Sequence, residues 1–303
     1  MTNRTTLPAQ AGILEPVPAV GRYILFSVAQ RAMLPAALDR LAQAVNGESV
    51  VARLGPGLVA ALGATVPGLR EFAALAGPGV EVPSTPTALL CWLRGSDPGD
   101  LVHLARALEH ALLPALQLDR VVDAFCHRRG PNGNGRDLTG FEDGTENPVG
   151  DAAVAATLVQ GQGPGLDGAS FLALQQWRHD FAAFEAMTPA AQDAMIGRRR
   201  GDNEELDDAP ASAHVKRTAQ ESFSPEAFVS RRSMPWTDGR EAGLMFAAFG
   251  CSLHGFEVQM RRMAGLEDGI VDALFSISKP ISGATFWCPP MDAGRLDLRA
   301  LMK

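Results

Sequence analysis

The chain has 303 residues, a net charge of −7 and 46% hydrophobic content. That length suits one large domain or two of ordinary size, and so much apolar content fills a core, which excludes a disordered chain. The acidic balance argues against a nucleic-acid partner, which would call for a basic face.

At the start, "MTNRTTLPAQAG" has one arginine with no apolar run after it, so no secretory signal is read. "RYILFSV" (22–28) is a β-prone run, and "RAMLPAALDRLAQAV" has the spacing of a helix. "TALLCWLRG" reads as a strand. "DPGDLVHLARALEHALLPAL" reads as a helix with Asp97 or Asp100 as N-cap, and "RVVDAF" as a third strand. The Gly-rich, polar "HRRGPNGNGRDLTG" is a natural joint, and it divides the chain into units 1–130 and 131–303. The second unit repeats the rhythm. "SFLALQQW" is a strand, and "HDFAAFEAMTPAAQDAMIG" is helical with a break at Pro189. "AGLMFAAFG" is a strand, "SLHGFEVQMRRMAG" and "DGIVDALFSI" are helices, and "GATFWCP" is the closing strand. With one further strand in each half, whose position the pattern leaves open, the order predicts two α+β units of β-α-β-β-α-β type. Their antiparallel sheets would pack together with helices on one face of each. The apolar runs are too short to span a bilayer, so no membrane segment is expected. Cys91, Cys126, Cys251 and Cys288 are scattered without a C-x-x-C, so they read as reduced thiols in a cytoplasmic protein.

Three places carry candidate chemistry. "LTGFEDGTENP" frames Asp143 with Gly140 and Gly144, which is either a surface turn or a backbone shaped to place a carboxylate. His214 follows the acidic stretch "GDNEELDDAPASA", and Arg231 lies further on in "RRSMPW". Alone, each reads as solvated or structural. "GNGRDLTG" lacks the spacing of a dinucleotide loop, and "EDGTEN" lacks the alternation of a calcium loop.

Together these motifs resemble the dye-decolorising peroxidases, and in particular their B-type branch. "RDLTGFEDGTENP", "IGRRRGDNEELDD", "AHVKRT", "RRSMPW", "GLMFAAF" and "ISGATFWCPP" fall in the order that family shows, and "QAGILEPVPAVGRYILFSV" is similar to its N-terminal part. The resemblance implies two ferredoxin-like units in the dye-decolorising peroxidase and chlorite dismutase-like architecture, with one haem b per chain held mainly by the C-terminal unit. It also implies oxidation of dyes, phenolics or other small reducing substrates by hydrogen peroxide. Two electrons go to peroxide and two one-electron donors return them.

Within that resemblance His214 matches the axial ligand of the haem iron. A proximal histidine works best when its other nitrogen donates to a carboxylate. Asp272, one turn inside a helix capped by Asp268, is the expected acceptor, the other reading being an Asp favoured by the helix dipole. Asp143 would move the peroxide proton from one oxygen to the other, and Arg231 would stabilise the charge that develops as the O–O bond breaks. Its fixed charge also favours the ionised carboxylate of Asp143, so activity is expected to be greatest at acidic pH. Gly140, Phe141, Glu142 and Gly144 are expected against the cofactor, and Ser233 stands where some family members carry Asn. Leu244 and Phe246 line the distal pocket or are strand core. Arg198 pairs with a propionate or belongs to a basic cluster at a helix end, and Glu146 lies at the propionate edge or on the surface. Tyr23, Trp177, Trp236 and Trp287 are electron relays or core. The family often forms dimers or larger rings, so a homo-oligomer is expected. No encapsulation tag is read in "LRALMK". The rival readings are a haem-handling protein on the same fold and a haem-free binding module.

Overall fold

Alternation along Val20–Val28 (β1) sends Tyr23 to one side of a sheet and Ile24 and Phe26 to the other, and both sides are buried. The computed structural model describes residues 7–302, and β1 is central to its first unit. Leu34–Ala44 (α1) follows, burying Leu34, Leu38 and Leu41 on one face. Val50–Leu54 (β2), Leu89–Gly95 (β3), Pro98–Leu112 (α2) and Leu116–Phe125 (β4) complete the unit. Asp97 caps α2 by accepting the amide hydrogen of Asp100. β3 lies antiparallel between β1 and β2, and β4 flanks β1, giving the ferredoxin-like order β2-β3-β1-β4. β2 is the strand that the sequence pattern left unplaced.

The second unit has the same order. Ser170–His179 (β5), Pro189–Ile196 (α3), His214–Arg217 (α4), Met234–Asp238 (β6), Glu241–Gly250 (β7), His254–Met263 (α5) and Ala284–Cys288 (β8) follow in sequence. Their pairings give β8-β5-β7-β6, all antiparallel. The predicted sheets are more than packed together, because they also meet at their edges. β2 joins β8 at Leu54 and Trp287, and β4 joins β6 at Ala124 and Trp236, which closes eight strands into a ring. Tyr23, Trp92, Leu172, Met245, Phe249 and Phe286 fill the ring. Arg53 is also fully buried, its guanidinium 5.3 Å from the ring centre of Trp92 and 5.1 Å from that of Phe249. The four cysteines are unpaired, as expected, and burial pushes the thiols of Cys91 and Cys288 up to about 12. Among the described residues no helix is long and apolar enough to cross a membrane.

One predicted helix is not there. "DGIVDALFSI" forms only a 3-10 turn, Ala273–Ser276. Gly269 takes a left-handed backbone (φ +81°), which interrupts any helix. Asp272 is then the N-cap, its Oδ1 accepting the amide hydrogen of Leu274 (2.9 Å). Asp268 is not a helix cap but pairs with Arg217.

Candidate active site

The outer face of the second sheet is where the chain leaves space. Leu244, Phe246 and Ala248 project from β7 to this side, and Phe256, Met260 and Met263 face them from α5. Between them is a cavity that opens toward solvent. Its wall is mainly apolar, with a few polar side chains placed in it: Asp143, His179, His214, Gln259, Arg231 and Ser278.

His214 opens α4 on the helix side. Two contacts tie α4 to the segment 268–272. His214 Nδ1 meets Asp272 Oδ2 at 2.8 Å, and Arg217 donates two hydrogen bonds to Asp268, at 2.8 and 2.7 Å. Those bonds, with one from the Ile270 amide, hold the Asp268 carboxyl down to about 2. Asp272 itself is fully buried, one oxygen on the helix cap and the other on the imidazole. With Nδ1 engaged, the Nε2 of His214 has no hydrogen-bond partner among the described residues, on a side chain that is 24% exposed to the cavity. An imidazole with one nitrogen anchored to a buried carboxylate and the other open is a metal-ligand arrangement.

Arg231 and Asp143 stand on the sheet side. Arg231 pairs in register with Ala248 of β7. Its Nε lies 3.4 Å from Asp143 Oδ1, an ion pair without hydrogen-bond geometry, and is itself buried. The pair is set by Asn147, which sequence reasoning missed. The Asn147 side chain accepts the amide hydrogen of Arg231 (2.7 Å) and donates to its carbonyl (3.0 Å). A side chain at Gly144 would put its Cβ 2.7 Å from Asn147 Nδ2, and Gly144 has φ +84°. At Gly140, φ +93°, a Cβ would lie 3.0 Å from Arg200.

The glycines therefore shape the turn from behind. Gly140, Phe141 and Gly144 are not in the cavity wall; Phe141 is buried among Phe184, Met195 and Ile277. Leu244 and Phe246 do line the cavity, and so does Trp177, whereas Tyr23, Trp236 and Trp287 belong elsewhere in the core. Ser233 lies in a second cavity with Arg129, Arg136 and Arg232. That cavity shares Asp143, Arg231 and Leu244 with the first, so the carboxylate and guanidinium stand where the two meet. Glu142, Glu146 and Arg198 line a third, which reaches His214. There Arg198 is held by Glu146 and Glu205.

Two ferredoxin-like units closed into a ring, with an imidazole and a carboxylate–guanidinium pair lining one apolar cavity, form a scaffold able to take a metal-bearing cofactor. Residues 134–293 match the family model described as Dyp-type peroxidase, C-terminal. Over 230 residues the chain is 30% identical to a dye-decolorizing peroxidase of Mycolicibacterium paratuberculosis, a match covering 74% of this chain and 64% of that protein, just under two thirds of its length. A dye-decolorizing protein from V. cholerae superposes with a TM-score of 0.80 at 27% identity, covering 94% of this chain and 97% of that one. DyPB from Rhodococcus jostii RHA1 superposes with a TM-score of 0.82 at 25% identity, covering 92% and 95%, and a variant of it is known in complex with haem. The chain belongs to the Dyp-type peroxidase family, and its structural neighbours include this B-type member.

Proposed function

We propose that the chain is a haem b-dependent peroxidase that uses hydrogen peroxide to oxidise small one-electron donors such as dyes and phenolics. Haem held in the cavity would supply the redox chemistry between peroxide and the one-electron donors. His214 is the residue to hold the iron. Because its Nδ1–H is directed at Asp272, the lone pair on Nε2 is the one presented to the cavity. Asp143 takes a proton from one peroxide oxygen and returns it to the other. Arg231 holds the charge that grows on the departing oxygen, its guanidinium fixed in the cavity wall beside Asp143. Peroxide reaches this pair from the polar cavity lined by Arg129, Arg136 and Arg232.

The reading is supported above all by one arrangement: His214, anchored from behind by Asp272, and the Asp143–Arg231 pair line the same apolar cavity. Its test is spectroscopic. The purified protein loaded with haem should show a Soret band, which His214→Ala should shift or lose. On rapid mixing with peroxide, Arg231→Leu and Asp143→Asn should each react at least ~10²-fold more slowly than the parent. A loaded protein that reacted with peroxide no faster than its Arg231→Leu variant would be a haem carrier instead.

A further inference from the structure

His179 is the titratable group of the cavity wall that the chemistry above does not use. It ends β5, and both ring nitrogens are engaged. Nε2 donates to Asp137 Oδ2 (2.9 Å), and Nδ1 shares a hydrogen bond with Ser278 Oγ (2.7 Å). Phe181 packs edge-on to the ring, 5.8 Å between centres. The side chain is only 5% exposed, and Ser278 is buried with it.

A serine, a histidine and an aspartate in series suggest a hydrolytic triad, but the backbone argues otherwise. Ser278 lies within a strand paired to β5, in register with His179, rather than on a sharp turn beside free amide hydrogens. What the histidine does is grip a loop. Asp137 Oδ1 accepts from the amide and the hydroxyl of Thr139, at 2.8 and 2.6 Å. The Asp137 amide donates to the Phe141 carbonyl (2.8 Å), and its carbonyl accepts from the Gly140 amide (2.8 Å). The turn 137–141 is thus wound around one carboxylate, whose remaining oxygen is the one held by His179. Asp143 comes two residues later, its amide donating to Gly135 of the same loop (3.0 Å).

From this we infer that His179 is a positioning residue for Asp143: by anchoring Asp137 to the rim of the sheet, it sets where the Asp143 carboxylate stands against Arg231. Charge supports the geometry. Burial pushes the Asp137 carboxyl up, but the hydrogen bond and charge of His179, with the two bonds from Thr139, more than offset it and leave the group below its ordinary range. The turn has other attachments, from Arg136 to the Arg200 carbonyl (3.0 Å), from Phe141 to its apolar cluster and from Asn147 to Arg231. None of these acts on Asp137. Loss of the imidazole leaves a buried carboxylate short of a donor, and the turn must shift to find water.

The inference rests on the peroxidase reading for its catalytic consequence, so the test has two arms. Hydrogen exchange on the purified protein reads the turn directly: His179→Phe, which keeps an aromatic ring but no donor, should speed exchange of the Thr139 and Gly140 amides at least ~10-fold. The amides of β5 should be unchanged. In the haem-loaded protein the same variant should slow the reaction with peroxide, per bound haem, by about tenfold or more, with donor KM unaltered. His179→Gln, which retains a donor, should recover most of both losses. Combining His179→Phe with Asp137→Asn should add little to either alone. Unchanged exchange in the turn overturns the inference, as does altered exchange with the peroxide rate intact. A parent protein inert to peroxide would instead defeat the peroxidase reading, and the exchange arm would still decide whether His179 holds the turn.

Discussion

The two units share a strand order, yet they treat the layer between sheet and helices in opposite ways. In the first, Ile24, Phe26, Leu54, Leu89 and Leu93 of the sheet meet Leu38 and Leu41 of α1 and Leu101, Ala105 and Leu108 of α2, and the layer is filled. In the second, the same layer contains the cavity. The cause is in the connections. Between β1 and β2 the chain runs from Ala29 to Ser49 and spends that length on one well-packed helix. Between β5 and β6 it runs from Asp180 to Ser233 in short helices and loops, which stand around the rim and deliver His214 and Arg231 instead of closing over the sheet. A fold duplicated in topology can thus assign stability to one half and a ligand to the other.

The difference can be measured by truncation. Leu41→Ala, in the filled layer, should destabilise the protein by ~2–5 kcal/mol, because packed neighbours cannot collapse into the space. Met260→Ala, at the cavity wall, should cost distinctly less in the haem-free protein. Equal losses by denaturant titration would mean that the two layers are not as unlike as they look. Overfilling makes the converse test. Ala248→Phe projects a ring into the cavity and should lower haem uptake about tenfold, equivalent to about 1.4 kcal/mol, while the chain stays folded. Uptake unaffected by that ring would place the cofactor elsewhere.

The smallest effect concerns the rim. Asp268 is held at about 2, below the ordinary carboxylate value, first by its hydrogen bonds from Arg217. Such a group contributes stability that is present above its unfolded value, near 4, and lost as pH falls through about 2. Asp268→Asn should therefore be slightly less stable than the parent at pH 6, with the gap closing toward pH 2. A gap that stayed constant over that range would show that the charge of Asp268 is not what ties it to Arg217.

What the sequence disclosed follows from the range of the interactions involved. β1, α2 and β7 are legible because their apolar residues recur at a fixed local period. β2 escapes because it is five residues long and has an arginine, Arg53, turned into the ring where an apolar residue would be expected. β6 escapes because Pro235 breaks its pattern. The segment 268–277 has apolar residues at helical intervals, but its conformation is decided by Gly269 and by two carboxylates whose partners lie on α4. The same holds at the site. Asp143, His214 and Arg231 are visible as parts of motifs, whereas Asn147, although inside the Asp143 motif, and His179 act through partners 84 and 42 residues away in the chain, which no local pattern reveals.

The closure of the eight strands has a consequence for assembly. An open sheet offers unpaired backbone groups along its outer strands, and copies of a chain can associate by extending it. Here each of the eight is flanked on both sides, and the short strands Ser230–Arg231 and Ser278–Pro280 merely continue the flanks of β7 and β5. The strand edges left open are short, those of Ser230–Arg231 and Ser278–Pro280 and of the hairpins over 75–82 and 291–296, so extension of a sheet by a second copy has little backbone to use.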